Sequence, residues 1–286
     1  MITWKGCIME SSEFVKTLFS LDGRTALVTG GGSGIGRIIA EALSKFGANI
    51  IITSRNKETG EKTQSEILAS KPKGYVDYKV LDISSENKIK SFVSEVEKTY
   101  GFINMLVNNS GRSWGSELEK FPYSAWDKIL SVNLTGLFHL TQSLLPMLEK
   151  DATIEMPSKI LNIGSVMGSK PYGDGAYSYA ASKAAVHHIT KILAKELAPK
   201  HITVNAFAPG PFASKMTNFA INTPKKLDAV TRGVPMGRIG RYEDIAAATI
   251  FLAGRGGNYI TGAIIPIDGG IHVSTGPELF AESRDL

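Results

Sequence analysis

The sequence predicts a doubly wound α/β fold, a Rossmann-type parallel sheet of seven strands flanked by helices on both faces. Three observations predict it. Short apolar runs alternate with longer stretches of helical period from residue 24 onward, the first run ends in a cluster of glycines, and no composition shift or linker divides residues 21–270. Parallel strands need long crossovers and their apolar runs need cover on each side, so the alternation places helices above and below the sheet.

The elements follow in order. Thr25–Thr29 reads as a buried strand, and after it Ile35, Ile38, Ile39, Ala42, Leu43 and Phe46 mark one face of a helix that Gly47 stops. Further strands are expected at 49–53, 75–81, 103–107, 159–163, 203–207 and 263–267. Between them, Ile89, Phe92, Val93 and Val96 mark one helix, and Leu134, Leu137, Phe138, Thr141, Leu144 and Leu145 another, which Asn133 is expected to open. A further helical face runs from Tyr179 and Lys183 through Val186, Ile189, Leu193 and Leu197. Residues 21–270 read as one domain, with an N-terminal extension at 1–20 and a C-terminal tail at 271–286; residues 211–237 are long enough for a flap over a site.

Composition narrows the function classes. With 286 residues, 43% of them apolar and 21% charged, the chain is neither disordered nor fibrous. Its net charge of +5 is spread along the sequence, a poor footprint for nucleic acid or a membrane surface. A single cysteine, Cys7, cannot form an internal disulfide, and no apolar run reaches the ~18 residues of a membrane helix, so a cytoplasmic protein is expected. His139, His187, His188, His201 and His272 show no spacing that builds a metal site with acids or thiols, so no metal is expected.

The first turn reads T-G-x-x-x-G-x-G over residues 29–36 rather than G-x-G-x-x-G. Its glycines permit a tight turn and close backbone approach, while the following helix offers free N–H groups and a positive dipole end to a diphosphate. Gly30, Gly32, Ser33, Gly34, Ile35 and Gly36 are therefore candidate cofactor contacts; a ligand-free glycine turn is the alternative. An NAD site usually has an acid about 20 residues further on to bond the ribose 2′-hydroxyl. Here the second strand ends in Ser54-Arg55-Asn56, and Arg55 suits a 2′-phosphate, so NADP(H) is expected, with Ser33 and Arg37 as helpers.

Tyr179 and Lys183 lie four apart on one helix face. A phenol of ordinary pKa near ~10 is a poor proton donor or acceptor at neutral pH unless a nearby cation stabilises the phenolate, and Lys183 supplies one. Ser165 follows the strand 159–163, where its hydroxyl can bond a carbonyl oxygen as negative charge develops. Asn108-Asn-Ser-Gly111 follows another strand. Taken singly, each has a bland alternative: a chance Tyr-x-x-x-Lys, a strand end, a helix N-cap at Asn133.

Jointly and in this order, with Asp82 after the third strand and Pro209-Gly210 later, these residues resemble the short-chain dehydrogenase/reductase family across residues 24–270. The resemblance implies Tyr179 as the acid that protonates a carbonyl oxygen, Ser165 as its polarising partner, Lys183 as the group that lowers the tyrosine pKa and binds the nicotinamide ribose, and Asn133 as the holder of a relay water. It also implies Asp82 and Ile83 at adenine, Asn109, Ser110 and Gly111 on the adenosine side, and Pro209, Gly210 and Phe212 beside the nicotinamide. Ser110 replaces the family's alanine and Ser214 its threonine, and the interval from Ser165 to Tyr179 is one residue longer than common, which leaves the loop path open. Tyr177 is a rival acid, but only Tyr179 has lysine at the fourth following position.

A closer resemblance, over 108–115, 162–168, 208–217 and 234–240, is to NADPH-dependent 3-oxoacyl reductases; it implies Arg112 and Trp114 near the pocket mouth, though Trp114 is equally a core residue by type. The expected activity is reduction of a ketone, a 3-oxoacyl thioester or related β-keto compound. The alternatives are a polyol, sugar or steroid alcohol dehydrogenase and a non-catalytic NADPH-binding sensor or scaffold. The family also implies a homotetramer built on the long helices after Asn133 and around Tyr179.

Overall fold

The computed structural model describes residues 10–171 and 175–274. Cys7, the first nine residues of the extension, part of the loop between Ser165 and Tyr179, and residues 275–286 of the tail lie outside the described residues.

Seven parallel strands, β1 (Thr25–Thr29), β2 (Asn49–Ser54), β3 (Val76–Val80), β4 (Met105–Asn108), β5 (Ser158–Ile163), β6 (Ile202–Pro209) and β7 (Ile264–Ile267), form one sheet in the order β3-β2-β1-β4-β5-β6-β7. Chain direction across the sheet reverses between β1 and β4, and a crevice opens there at the carboxyl ends of the strands.

Successive residues on the central strands feed two cores. Ala26, Val28, Ile50, Ile52 and Val107 pack on one side with Ile39 and Leu43 of α2 (Gly34–Lys45), Ile67 of α3 (Lys57–Ala69) and a helix at Tyr242–Ala253. Leu27, Ile51, Leu106, Ile160 and Val204 pack on the other with α4 (Glu86–Tyr100), the helix Leu137–Glu149 and the helix Tyr177–Leu197. Both faces are apolar, which is why the runs read as continuous rather than alternating. The 11–19 segment is a helix, α1 (Ser11–Phe19), whose end lies so close to Gly254 that a Cβ there would come 2.5 Å from the Leu18 carbonyl.

The expected helix opening at Asn133 is corrected. Helix begins earlier, at α5 (Ser124–Leu130), runs through a π turn (Ser131–Gly136) and continues as α6 (Leu137–Glu149). Asn133 is thus mid-helix, not an N-cap. The π turn brings the helix backbone against the loop after β3: a Cβ on Gly136 would come 2.1 Å from the Ile83 carbonyl.

One polar row crosses the second core. Asn108 Nδ2 donates to Thr141 Oγ1 on α6 at 2.9 Å and to Asn162 Oδ1 on β5 at 2.9 Å, and Asn162 Nδ2 donates to Thr190 Oγ1 at 2.9 Å on α7 (Tyr177–Leu197). Asn108 and Asn162 are register partners across β4 and β5. The flap contains two helices, α8 (Asn218–Ile221) and α9 (Pro224–Arg232), and leads into α10 (Tyr242–Ala253). Among the described residues no helix is long and apolar enough to cross a membrane.

Candidate active site

The glycine turn sorts into two kinds of glycine. Gly30 and Gly36 are packing positions: a Cβ would come 2.9 Å and 2.2 Å, respectively, from Asn109 Nδ2, and Gly30 also has φ +64°. Gly32 and Gly34 meet nothing closer than 3.4 Å, and both face a cleft of about 900 Å³. Ser33 caps α2 with no side-chain hydrogen bond, so the first-turn N–H groups stay open toward the cleft with the positive end of the helix. A side chain at Gly32 or Gly34 would fill the cradle; a diphosphate fits it.

Thr29 ties this turn to the end of β4. Its Oγ1 donates to Val107 O at 3.2 Å and accepts from the amides of Asn109 at 2.9 Å and Ser110 at 3.0 Å, while Asn109 Nδ2 donates to Thr29 O at 2.9 Å. Asn109 therefore braces the cradle as well as lining the cleft.

At the end of β2, Ser54 Oγ donates to Asn56 O at 2.6 Å and Asn56 Oδ1 accepts from Thr59 N at 2.8 Å, capping α3. This turn exposes Arg55 at the cleft wall. Arg37 is corrected as a helper: its guanidinium is bonded to Glu41 at 2.6 Å and Glu66 at 2.7 Å, which neutralise it away from the cleft. Asp82 and Ile83 line the same end, and the Ser84 hydroxyl bonded to Asp82 at 2.7 Å is the main cause holding its carboxyl below the ordinary range.

Ser165, Tyr179 and Lys183 converge on the other end of the cleft. The Ser165 hydroxyl faces the Tyr179 phenol and favours its ionised form. Lys183, 4% exposed, donates from Nζ to Ile163 O at 2.6 Å and lies 5.7 Å from the centre of the Tyr179 ring. The expected lowering of the phenol pKa is not what this geometry gives. Burial raises Tyr179 above the ordinary 10, and the Ser165 hydroxyl only offsets part of it; burial also lowers Lys183 to about 8. One of the three ammonium hydrogens goes to the Ile163 carbonyl, which leaves two for the cleft.

Asn133 and Gly36 are not among the residues lining the cleft. Asn133 is 1% exposed; its Nδ2 donates to Arg112 O at 2.9 Å and Ser182 Oγ at 3.0 Å, and its Oδ1 accepts from Arg112 N at 2.8 Å. With both donor hydrogens occupied, the side chain clamps the 111–113 loop to α7. Tyr177 stacks edge-on against Phe121 at 5.2 Å and does not line the cleft.

Gly111, Pro209, Gly210 and Phe212 complete the expected wall. Arg112 and Trp114 line it too, and Trp114 is 45% exposed with Lys128 Nζ 5.9 Å from its ring, a mouth residue rather than core. Sequence reasoning missed Lys128, Ile129 and Val132, which α5 and the π turn bring to the wall, and Lys215, Met216 and Thr217 from the flap. The helical spacing of Ala125, Ile129 and Val132 was the signal available for the first group.

Residues 30–272 match the family model described as enoyl-(acyl carrier protein) reductase. The chain is 44% identical over 257 residues, 89% of its length and 98% of the relative's, to the rhamnolipids biosynthesis 3-oxoacyl-[acyl-carrier-protein] reductase of Pseudomonas aeruginosa. It is 38% identical over 254 residues, 89% of its length and 100% of the relative's, to the 3-oxoacyl-[acyl-carrier-protein] reductase FabG of Haemophilus influenzae. Among solved structures, the Pseudomonas aeruginosa RhlG/NADP active-site complex superposes with a TM-score of 0.86 at 44% identity, covering 90% of this chain and 99% of that one. A gluconate 5-dehydrogenase from Burkholderia cenocepacia in complex with NADP and tartrate gives 0.84 at 30% identity, covering 91% and 100%.

Proposed function

The chain belongs to the short-chain dehydrogenase/reductase family, and from that premise we propose that it is an NADP(H)-dependent carbonyl reductase acting on 3-oxoacyl thioesters or related β-keto compounds. The observation that carries the reading is the convergence of Ser165, Tyr179 and Lys183 at one end of a cleft whose other end has a diphosphate cradle and Arg55. The 3-oxoacyl reductases among its relatives support the substrate class, and the NADP in the RhlG complex supports the coenzyme.

Gly32, Ser33, Gly34 and Ile35 would hold the diphosphate, Arg55 with Ser54 and Asn56 the 2′-phosphate, Asp82 and Ile83 the adenine. Gly30 and Gly36 serve the same site by letting Asn109 brace the cradle. Asn109, Ser110 and Gly111 would line the adenosine side; Pro209, Gly210 and Phe212 would flank the nicotinamide. When bound, the reduced nicotinamide supplies a hydride. Tyr179 would protonate the substrate oxygen; burial keeps the phenol protonated at neutral pH but also makes it a weaker acid, so the transfer depends on the negative charge that builds on that oxygen as hydride arrives. Ser165 would donate a hydrogen bond to that oxygen as charge builds on it. Lys183 would hold the nicotinamide ribose, and Asn133 would act by fixing the 111–113 loop and α7 together.

The test is turnover of an acetoacetyl thioester with NADPH, with gluconate and NADP, and a crotonyl thioester with NADPH, as the competing arms. Ketone reduction is expected; gluconate oxidation or enoyl reduction without it overturns the assignment. The lone Cys7 fits a cytoplasmic site of action. We further place the protein in solution as a homotetramer on α6 and α7, which light scattering on the purified chain tests.

A further inference from the structure

Tyr179, Lys183 and His187 occupy successive turns of α7, and the reaction as described uses only the first two. His187 is 6% exposed and lies under the turn that carries Ser165. The amide of Ser165 donates to His187 Nε2 at 3.4 Å, so Nε2 carries no hydrogen; Nδ1 therefore does, and it donates to Ser169 Oγ at 3.1 Å. The imidazole bridges the first and last residues of a five-residue turn.

Two glycines admit the ring. A Cβ on Gly164 would come 2.2 Å from His187 Nε2, and one on Gly168 would come 2.8 Å from its Cε1 and 2.7 Å from the Lys183 carbonyl carbon. The turn 164–169 is thus moulded on the imidazole, while Ser165 Oγ accepts from Met167 N at 3.2 Å. Burial, with Lys183 and Lys191 adding to it, lowers the imidazole to about 4, which keeps it neutral as Nε2 requires.

We propose that His187, as its Nδ1–H tautomer, is a positioning residue that fixes the Ser165 turn and so holds the serine hydroxyl against the Tyr179 phenol. The inference rests on Ser165 acting as proposed above. A neutral histidine here does what an aliphatic residue cannot: it accepts a backbone amide and donates to a hydroxyl at a separation set by a rigid ring.

His187→Leu removes the acceptor, and His187→Gln restores one on a chain of similar reach. In His187→Leu, kcat for reduction falls at least tenfold while the dissociation constant for NADPH stays within twofold; His187→Gln recovers a substantial part of kcat. Equal kcat in parent and His187→Leu, or equal losses in both variants, overturns the proposal. Should His187→Leu not fold, nitrogen NMR on the parent decides: a neutral Nδ1–H imidazole at pH 7 is expected, and an Nε2–H or protonated ring overturns it. That measurement needs no substrate, so it stands even where the thioester is not turned over and the functional reading itself fails.

Discussion

Lys183 donates from Nζ to the Ile163 carbonyl at 2.6 Å, so the last residue of β5 holds the ammonium in place between the sheet and the Tyr179 ring. One bond to a carbonyl does not repay the desolvation of the buried amine, and burial lowers the group to about 8. Below that value the amine is charged and above it neutral. In the free enzyme, kcat/KM for reduction therefore declines above about pH 8, an alkaline limb that a pH–rate profile reads directly. A flat profile to pH 10 contradicts this charge requirement.

The same amine is a stability cost. The unfolded lysine binds its proton to about 10.5 and the folded one only to about 8, so this group destabilises the fold below pH 8 and the cost disappears as pH rises toward 10.5. The difference corresponds to roughly 3 kcal/mol at pH 7. Lys183→Met is expected to lose reductase activity yet unfold at a higher denaturant concentration than the parent at pH 7, with the gap closing by pH 10.

Tyr179→Phe removes the donor without emptying the site. A positioned acid is worth about 10² to 10⁴ in rate, so kcat should fall by that range while NADPH binding, followed by fluorescence, is unchanged. Tyr177→Phe keeps its contact with Phe121 and its activity.

Arg55→Ala probes the coenzyme choice. A charge-assisted hydrogen bond contributes about 1.5–3 kcal/mol, so KM for NADPH should rise about tenfold to a hundredfold while KM for NADH hardly moves. Parallel losses with both coenzymes would place Arg55 outside the 2′-phosphate contact.

Thr29→Val keeps the shape of a fully buried side chain and deletes its hydroxyl, which serves two backbone amides and one carbonyl. Asn109 N and Val107 O keep their mutual bond at 3.1 Å, so the Ser110 amide is the group left without this partner; at about 1–3 kcal/mol for such a loss, calorimetry should show a lower melting temperature. NADPH affinity falls with it, because the cradle loses its tie to β4.

The acid-side stability follows His187. Its unfolded imidazole takes a proton near 6.5 and its folded one only near 4, so stability falls as pH drops from 6.5 to 4. His187→Gln should flatten this part of the stability curve.

The strands and the residues that meet at one end of the cleft were legible because each is a local pattern. Thr25–Thr29 is buried throughout and is followed by glycines, and Tyr179 and Lys183 need only a helix to share a face. What could not be read were contacts set by distant elements. Lys128 reaches the mouth only because helix begins at Ser124, and the π turn that carries Asn133 leaves no spacing signature. Arg37 looked available until Glu41 and Glu66 were seen to hold it. The protonation of Tyr179 and Lys183 depends on burial and on the Ile163 carbonyl, neither of which a four-residue spacing encodes.

The row Thr141–Asn108–Asn162–Thr190 has a consequence for what this scaffold can vary. Aliphatic neighbours would accept β5 displaced by a residue along β4, but the displacement would turn Asn162 to the opposite face of the sheet and break its bonds to Asn108 and Thr190 in a dry interior. Strand alignment here is wired by donors and acceptors instead of being left to shape. The spacing between Asn109, one residue beyond β4, and Ser165, two beyond β5, is thereby locked, whereas residues 215–233 hang outside that lock and can be rebuilt for a new ketone without disturbing the chemistry beneath.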